Sequence, residues 1–306
     1  MEIALIGLGK MGYALALNMK DHGHRVVAYS RSPEKAAALA DEGLEGTSSL
    51  EDLCASIKGR RLIWLMVPAG KAVDKMIAKL LPLLNERDII VDGGNSHYGD
   101  SIRRFSELQK EKIDYVDAGI SGGPSGARSG ACIMVGAEEN IYKYLEPLLN
   151  DLSTEGGCLR VGGAGAGHYV KMVHNGIEYG MMQAIAEGFE LMDSGPYEIN
   201  FHELSKLWNR GSVIRSWLIE LTANIFAEDP KLKKIEGIVG SSGTGLWTVE
   251  EALLRKVPLP VITQALFTRY RSEQNNVFSA RLAASLRREF GGHDVEKPEV
   301  KNDLSS

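Results

Sequence analysis

The run Ile3-Ala4-Leu5-Ile6-Gly7-Leu8-Gly9-Lys10-Met11-Gly12 decides the fold. Its first four residues are an unbroken apolar stretch of the length of a buried strand. Three glycines then follow in a G-x-G-x-x-G spacing, and the chain continues into the helix-like Met11–His22. In that strand–turn–helix setting each glycine has a reason. The first permits a tight turn, the second lets backbone approach a pyrophosphate, and the third packs helix on strand. The helix N-terminus offers N–H donors to an anion. Gly7, Leu8, Gly9, Lys10, Met11 and Gly12 are therefore expected to cradle a dinucleotide.

Working outward, short β-branched runs recur at Arg25–Tyr29, Leu62–Val67, Ile89–Val91, Tyr115–Val116 and Ile133–Val135. Amphipathic stretches separate them at Pro33–Asp41, Val73–Leu81 and Ser101–Lys110. Strands alternating with helices predict a mostly parallel sheet covered on both faces. Beyond the glycine cluster Gly162–Gly167 the alternation stops and long helical segments follow, broken at Gly195-Pro196, Asp229-Pro230 and Gly240–Gly245. The expectation is an α/β protein with a Rossmann-type doubly wound domain over residues 1–164. An all-α domain ending in a polar tail is expected over 165–306.

Bulk properties narrow the function. A chain of 306 residues suits about two domains, and 44% hydrophobic with 25% charged residues is ordinary for a protein with a core. A net charge of −5 excludes a nucleic-acid binder acting through bulk basic charge. An anionic ligand must then be held by a few placed cations. Three cysteines, Cys54, Cys132 and Cys158, form no C-x-x-C pair, which fits reduced thiols and a cytoplasmic protein. No apolar run reaches the ~18 residues of a membrane span, no leader-like segment precedes the first strand, and no metal-ligand pattern stands out.

The end of the second strand bears on cofactor choice. An NAD site usually carries an acid there for the ribose hydroxyl. Here the residues are Tyr29-Ser30-Arg31-Ser32, so Ser30, Arg31 and Ser32 are read as a 2′-phosphate site and NADP is favoured, with NAD as the alternative. Val67 and Pro68 close a further strand and are placed on the nicotinamide side. Asn95, in the turn Val91-Asp-Gly-Gly-Asn95-Ser96, is placed against cofactor or substrate.

The stretch Gly165-Ala-Gly-His168-Tyr-Val-Lys171-Met-Val-His174-Asn175-Gly-Ile-Glu178-Tyr179-Gly carries the chemistry. Lys171, His174, Asn175 and Glu178 fall at i, i+3, i+4 and i+7 and so share a helical face. Apolar Val170, Met172, Val173 and Ile177 flank them, which predicts a largely buried helix. Burying a lysine and a carboxylate costs several kcal/mol, as an order of magnitude, unless they are paired or functional. A desolvated lysine can act as a base near neutral pH, and a carboxyl group can return a proton. Oxidation of a secondary alcohol followed by loss of CO₂ needs both roles, for which Lys171 and Glu178 are the candidates. His174 and Asn175 suit the hydroxyl and carboxylate of such a substrate.

These residues resemble the 6-phosphogluconate dehydrogenase family over nearly the whole chain. The resemblance rests on Asp21-His-Gly-His, Val91-Asp-Gly-Gly-Asn95-Ser96, Ser121-Gly122-Gly123 with Gly126-Ala-Arg128, and His174-Asn-Gly-Ile-Glu178-Tyr179. It implies oxidative decarboxylation of 6-phosphogluconate to ribulose 5-phosphate, with Lys171 as general base and Glu178 as acid. By the same resemblance Asn95, Ser121, Gly122, Gly123, His174 and Asn175 contact the sugar acid, while Tyr179, Thr244 and Arg269 hold its phosphate. Arg287-Arg-Glu-Phe-Gly-Gly-His293 resembles a tail segment that enters the partner subunit's active site. That implies a homodimer, or a higher homo-oligomer, with Arg287 on the phosphate and His293 on a sugar oxygen. The chain departs from the long family members in having room for one helical domain. Ser242 and Leu246 stand where the family has lysines, and Gly123-Pro124-Ser125-Gly126 where long forms carry acids.

Two other readings compete. A β-hydroxyacid dehydrogenase for another small hydroxy acid shares the fingerprint, the Ser121 loop and the lysine, but typically has Asn at the place of His174. It also lacks Glu178-Tyr179 and the Arg/His tail. A non-catalytic NADP(H)-binding sensor would have no need of a lysine and a glutamate seven residues apart.

Overall fold

The computed structural model describes residues 1–291 and 294–296. The chain opens with β1 (Glu2–Ile6), α1 (Lys10–Asp21), β2 (Arg25–Tyr29), α2 (Pro33–Ala38), β3 (Glu45–Thr47), α3 (Leu50–Ser56) and β4 (Leu62–Leu65). Next come α4 (Lys71–Leu80), β5 (Ile89–Asp92), α5 (Tyr98–Lys110), β6 (Asp114–Ser121), α6 (Gly123–Ser129), β7 (Ala131–Gly136), α7 (Glu139–Asp151) and β8 (Ser153–Gly162). Helices α8 (Ala166–Asp193), α9 (Phe201–Trp208), α10 (Trp217–Glu228), α11 (Gly243–Arg255), α12 (Pro260–Ser272) and α13 (Phe278–Gly291) complete it.

The strands form one sheet in the order β3-β2-β1-β4-β5-β6-β7-β8, parallel except where β6 meets β7. The order reverses at β1, whose neighbours are β2 and β4, so the carboxyl end of β1 opens at a topological switch point. Strands β4 and β5 are buried along their whole length, because helices cover both faces. One core lies under α1, α6 and α7, and a second lies under α3, α4 and α5. Each large apolar side chain fully buried there, such as Trp64 or Leu65, contributes about 1.5–3 kcal/mol.

Two strands escaped the sequence reading. β3 reads Glu-Gly-Thr and β8 contains Thr-Glu-Gly-Gly, and both are sheet edges without the apolar signature of a central strand. Gly46 in β3 has a packing reason, since a Cβ there would lie 2.0 Å from the carbonyl oxygen of Ala36.

Compactness divides the chain within α8. One unit is Met1–Tyr179 with Gly243–Leu259, and the other is Gly180–Ser242 with the described residues from Pro260 on. The start of α8 belongs with the sheet for a local reason. A Cβ on Gly167 would sit 2.5 Å from the carbonyl oxygens of Asp117 and Met134, and one on Gly119 would sit 2.4 Å from Cβ of Lys171. Only glycine allows that approach. α11 closes on the same half of α8, with Gly176 against Thr248 and Gly245 against the ring of Tyr179.

The expectation that α8 is largely buried holds only for its first half. Lys171, Met172, Asn175, Gly176 and Tyr179 are buried, but Ile177, Met181 and Met182 are 51%, 43% and 40% exposed. Gly188 has open space where a Cβ would stand, so its place in the helix has no packing explanation. In the second unit, Phe189, Phe201 and Phe226 form a small aromatic core joined by Trp208. No described helix is long and apolar enough to cross a membrane.

Candidate active site

The glycine loop after β1 has the geometry its spacing predicts. Gly7 sits at φ +108°, where a Cβ would also strike the carbonyl oxygen of Met66 at 2.4 Å. A Cβ on Gly12 would lie 1.9 Å from the carbonyl oxygen of Gly7, so the third glycine seats α1 on the turn. Around Gly9, by contrast, nothing lies within 4 Å of a Cβ position, and no side chain caps α1. Leu8 and Met11 pack partly against the core while Lys10 is exposed. A turn held by two glycines and left open at the middle one fits a pyrophosphate group.

At the end of β2 the residues are more engaged than the sequence suggested. The Ser32 hydroxyl donates to Glu34 at 2.6 Å and accepts the Lys35 N–H that begins α2. Ser30 Oγ accepts the Ser32 N–H, and Arg31 is exposed. An acid thus stands beside the expected 2′-phosphate residues. The sequence reading stopped at the strand end and passed over Glu34. Its carboxyl is held below the usual range by the Ser32 hydroxyl.

Val67 and Pro68 end the segment after β4; Val67 is half-buried and Pro68 exposed. Asn95 is exposed in a loop tied down by its neighbour Asp92. The Asp92 carboxylate accepts from Gly94 N at 3.1 Å, Ser96 Oγ at 2.7 Å, Tyr115 Oη at 3.2 Å and Arg104 at 3.2 Å.

The catalytic candidates come together on the first half of α8. Lys171 is 7% exposed, and its Nζ lies 3.4 Å from Nδ1 of His174. Nδ1 is also 3.1 Å from Oδ1 of Asn175 and 4.0 Å from the Glu178 carboxylate. On its other side His174 Nε2 meets Ser121 Oγ at 3.1 Å, which joins the end of β6 to the helix. Asn175 donates to Thr244 Oγ1 at 3.3 Å, which brings in α11. Gly122 at φ +124° and Gly123 at φ +60° turn the loop after Ser121 into α6, a conformation that favours glycine.

Burial pushes the Lys171 amine below the ordinary lysine value, and the negative charge of Glu178 partly opposes this. The two members of the expected buried pair therefore differ. Lys171 is desolvated, whereas the Glu178 side chain is 42% exposed, because it lies one turn farther along, beside exposed Ile177.

Tyr179 and Thr244 are 5% and 3% exposed in the same unit. Arg269 belongs to the other unit, where it donates to the Gly240 carbonyl at 3.1 Å. Arg287 is exposed on α13. His293 lies outside the described residues.

Several supporting residues had no clear sequence signal. Asp117 is fully buried in β6, and its carboxylate accepts the N–H of Gly165 at 2.6 Å and of His168 at 2.8 Å, fixing the start of α8. A charge inside an apolar strand was the one available hint. Burial raises its carboxyl, opposed by the interactions with His168. His168 Nδ1 lies 2.7 Å from Ser101 Oγ of α5. Tyr98 donates to Glu251 of α11 at 2.7 Å, and Arg255 pairs with the same carboxylate. These residues hold α5, α8 and α11 in fixed register beneath the site.

Comparison with known proteins gives the arrangement relatives. The family model for the NAD-binding domain of 6-phosphogluconate dehydrogenase matches residues 2–163, and the model for the C-terminal domain of 6-phosphogluconate dehydrogenase matches 167–304. An NAD(+)-dependent, decarboxylating 6-phosphogluconate dehydrogenase of Haloferax volcanii is 45% identical over 97% of this chain and 99% of its own. The solved 6-phosphogluconate dehydrogenase of Plasmodium falciparum, described apo, with NADP+ and with 6-phosphogluconate, superposes with a TM-score of 0.82 at 34% identity. That match covers 99% of this chain and 67% of the other. A 3-hydroxyisobutyrate dehydrogenase of Salmonella typhimurium shares the fold, with a TM-score of 0.73 at 18% identity over 89% of this chain and 93% of its own.

Proposed function

The chain belongs to the 6-phosphogluconate dehydrogenase family, and we propose that Lys171 and Glu178 are the base and acid of its reaction. That reaction is the oxidative decarboxylation of 6-phosphogluconate to ribulose 5-phosphate, with NADP or, alternatively, NAD as cofactor. The observation that carries the residue assignment is one buried lysine. Lys171 is desolvated and bears on His174, which in turn reaches Ser121, Asn175 and Glu178.

The residues that would hold the dinucleotide are Gly7–Gly12, Ser30–Ser32, Val67, Pro68 and Asn95. When bound, its nicotinamide supplies the acceptor for a hydride. The protein supplies the proton chemistry. In its neutral form Lys171 takes the proton of the substrate hydroxyl, and burial favours that form by holding the amine below the ordinary lysine value. The resulting β-keto acid loses CO₂ to give an enediol. Lys171, now an ammonium, gives its proton to the developing oxyanion as CO₂ leaves, and it takes that proton back as Glu178 delivers one to carbon. Its exposure lets it recover that proton from solvent. Ser121, Gly122, Gly123, His174, Asn175 and Asn95 hold the sugar acid, while Tyr179, Thr244 and Arg269 serve its phosphate.

The dinucleotide-binding part is assigned to 1–164 and the helical part to 165–306. We further assign a homodimer in which Arg287 and His293 enter the partner's site. Support for it is α13, which buries none of its residues and exposes Phe278, Leu282, Leu286 and Phe290 at four-residue spacing. An intracellular, cytoplasmic enzyme fits the unpaired cysteines. The direct test is incubation with 6-phosphogluconate and either cofactor, following cofactor reduction and CO₂ together. Cofactor reduction without CO₂ would instead favour a simple hydroxyacid dehydrogenase.

A further inference from the structure

The loops that end β4 and β5 are assigned different tasks. The first carries Val67 and Pro68 for the cofactor alone, and the second carries Asn95, which is assigned to the substrate as well as to the cofactor. One buried side chain bonds to both. Arg104 of α5 is 1% exposed. Its Nε donates to Asp74 at 2.8 Å, and one terminal nitrogen donates to the carbonyl oxygen of Gly70 at 3.0 Å. Those groups fix the end of the Val67–Gly70 turn and the first turn of α4. The other terminal nitrogen donates to Asp92 and to Ser96 Oγ, each at 3.2 Å, which fixes the loop around Asn95. Gly70 stands at φ +76° in that turn, and Gly94 would place a Cβ 2.9 Å from the carbonyl oxygen of Val67, so the two loops also touch.

We propose that Arg104 is a positioning residue that holds the cofactor loop and the substrate loop at a fixed separation, so that hydride donor and acceptor meet in register. The proposal rests on the loop assignments of the reading above. The chemistry suits the task. A guanidinium presents five donors in a rigid plane, and here its two edges serve two loops. Lysine has the charge but a single donor centre, and cannot span both. Burial matters too, since a charge removed from water is retained only if its partners satisfy it, and every nitrogen of Arg104 has one. A misplacement of about 1 Å between reacting groups is enough to cost ~100-fold in rate.

Breaking one side at a time tests this. Asp74→Ala loosens only the β4 side, leaving the Gly70 contact, and a Tm measurement identifies whether the variant is folded. It should raise KM for the cofactor about fivefold or more and leave KM for 6-phosphogluconate within about twofold. Ser96→Ala loosens only the β5 side and should raise KM for 6-phosphogluconate about fivefold or more, with a smaller rise in KM for the cofactor, since Asn95 serves both. Arg104→Lys should raise both and lower kcat about tenfold or more. Titration of each variant with NADP+ and NAD+ alone, by quenching of tryptophan fluorescence, reads the cofactor side without turnover. Equal changes in both KM values for Asp74→Ala and Ser96→Ala would overturn the proposal and leave Arg104 as a stability residue. If the unaltered protein bound cofactor but did not turn over 6-phosphogluconate, the substrate reading would fail. The cofactor titrations of Asp74→Ala and Ser96→Ala would still decide whether Arg104 positions the first loop.

Discussion

The two compact units treat their apolar residues in opposite ways. In the sheet unit, β1, β4 and β5 are buried on both faces, and every helix from α1 to α7 faces a neighbour of the same chain. In the helical unit a three-phenylalanine core serves α8, α9 and α10, while α13 buries nothing. Phe278 and Phe290 are 72% and 78% exposed, and Leu282 and Leu286 are 47% and 53% exposed. The sheet unit satisfies its hydrophobic residues by itself. The helical unit has apolar surface that a monomer leaves in water, which is the physical basis for assigning it to assembly.

Substitutions in the two units should therefore separate chemistry from association. The largest effect is expected in the sheet unit. Lys171→Met should lower kcat by about 1,000-fold or more while leaving cofactor titration and molecular mass unchanged. The same variant should be more stable at neutral pH. A buried lysine whose amine is pushed below its ordinary value carries a penalty while protonated. That penalty is full below the folded-state value and fades as pH rises toward the ordinary lysine range. Calorimetry should show Tm up by about 2–4 °C near pH 7, with a smaller gain at high pH. A loss of Tm would mean that Lys171 is held by interactions beyond those described above.

In the helical unit, Leu286→Asp should do the converse. Sedimentation should show monomers, and KM for 6-phosphogluconate should rise about tenfold or more as the partner's phosphate contact is lost. Mixing Lys171→Met with Arg287→Ala should restore partial activity, because each hybrid dimer has one intact composite site. Unchanged mass for Leu286→Asp would break the comparison and make α13 an ordinary exposed helix.

Two smaller effects sharpen the sheet unit. Glu178→Gln should slow the protonation of the enediol, and it also removes the charge that opposes the depression of Lys171. The acid limb of kcat/KM should then move to lower pH; a move to higher pH would contradict the assigned electrostatics. Glu34→Gln should shift the NADP:NAD preference toward NADP by about fivefold, since it removes a carboxylate beside Ser32 and Arg31. An unchanged ratio measured at low salt would show that Glu34 faces away from the ribose.

The sequence made much of the site legible because its signals are local. A glycine spacing needs only neighbouring residues to acquire meaning, and a face of Lys171, His174, Asn175 and Glu178 follows from helical pitch alone. Less legible were the sheet edges, where β3 and β8 lack apolar runs, and the second half of α8, whose exposure depends on what lies across from it. Arg104 is the sharpest example. On the sequence it is one of two adjacent arginines, Arg103 and Arg104, in an amphipathic helix. Arg103 is 43% exposed in a surface ion-pair group, while Arg104 is buried at the junction of two loops.

By itself, then, the sequence determined the alternating sheet, the dinucleotide loop and the identity of the base and acid candidates, because backbone periodicity and residue chemistry act over a few positions. The tertiary structure decided which of those groups is dry. Lys171 lost its water where α8 packs on Gly119 of β6, Glu178 kept its own, and Asp117, Asp92 and Arg104 became the groups that hold the site in place. Desolvation depends on everything packed around a side chain, including residues more than a hundred positions away, and no local pattern encodes it.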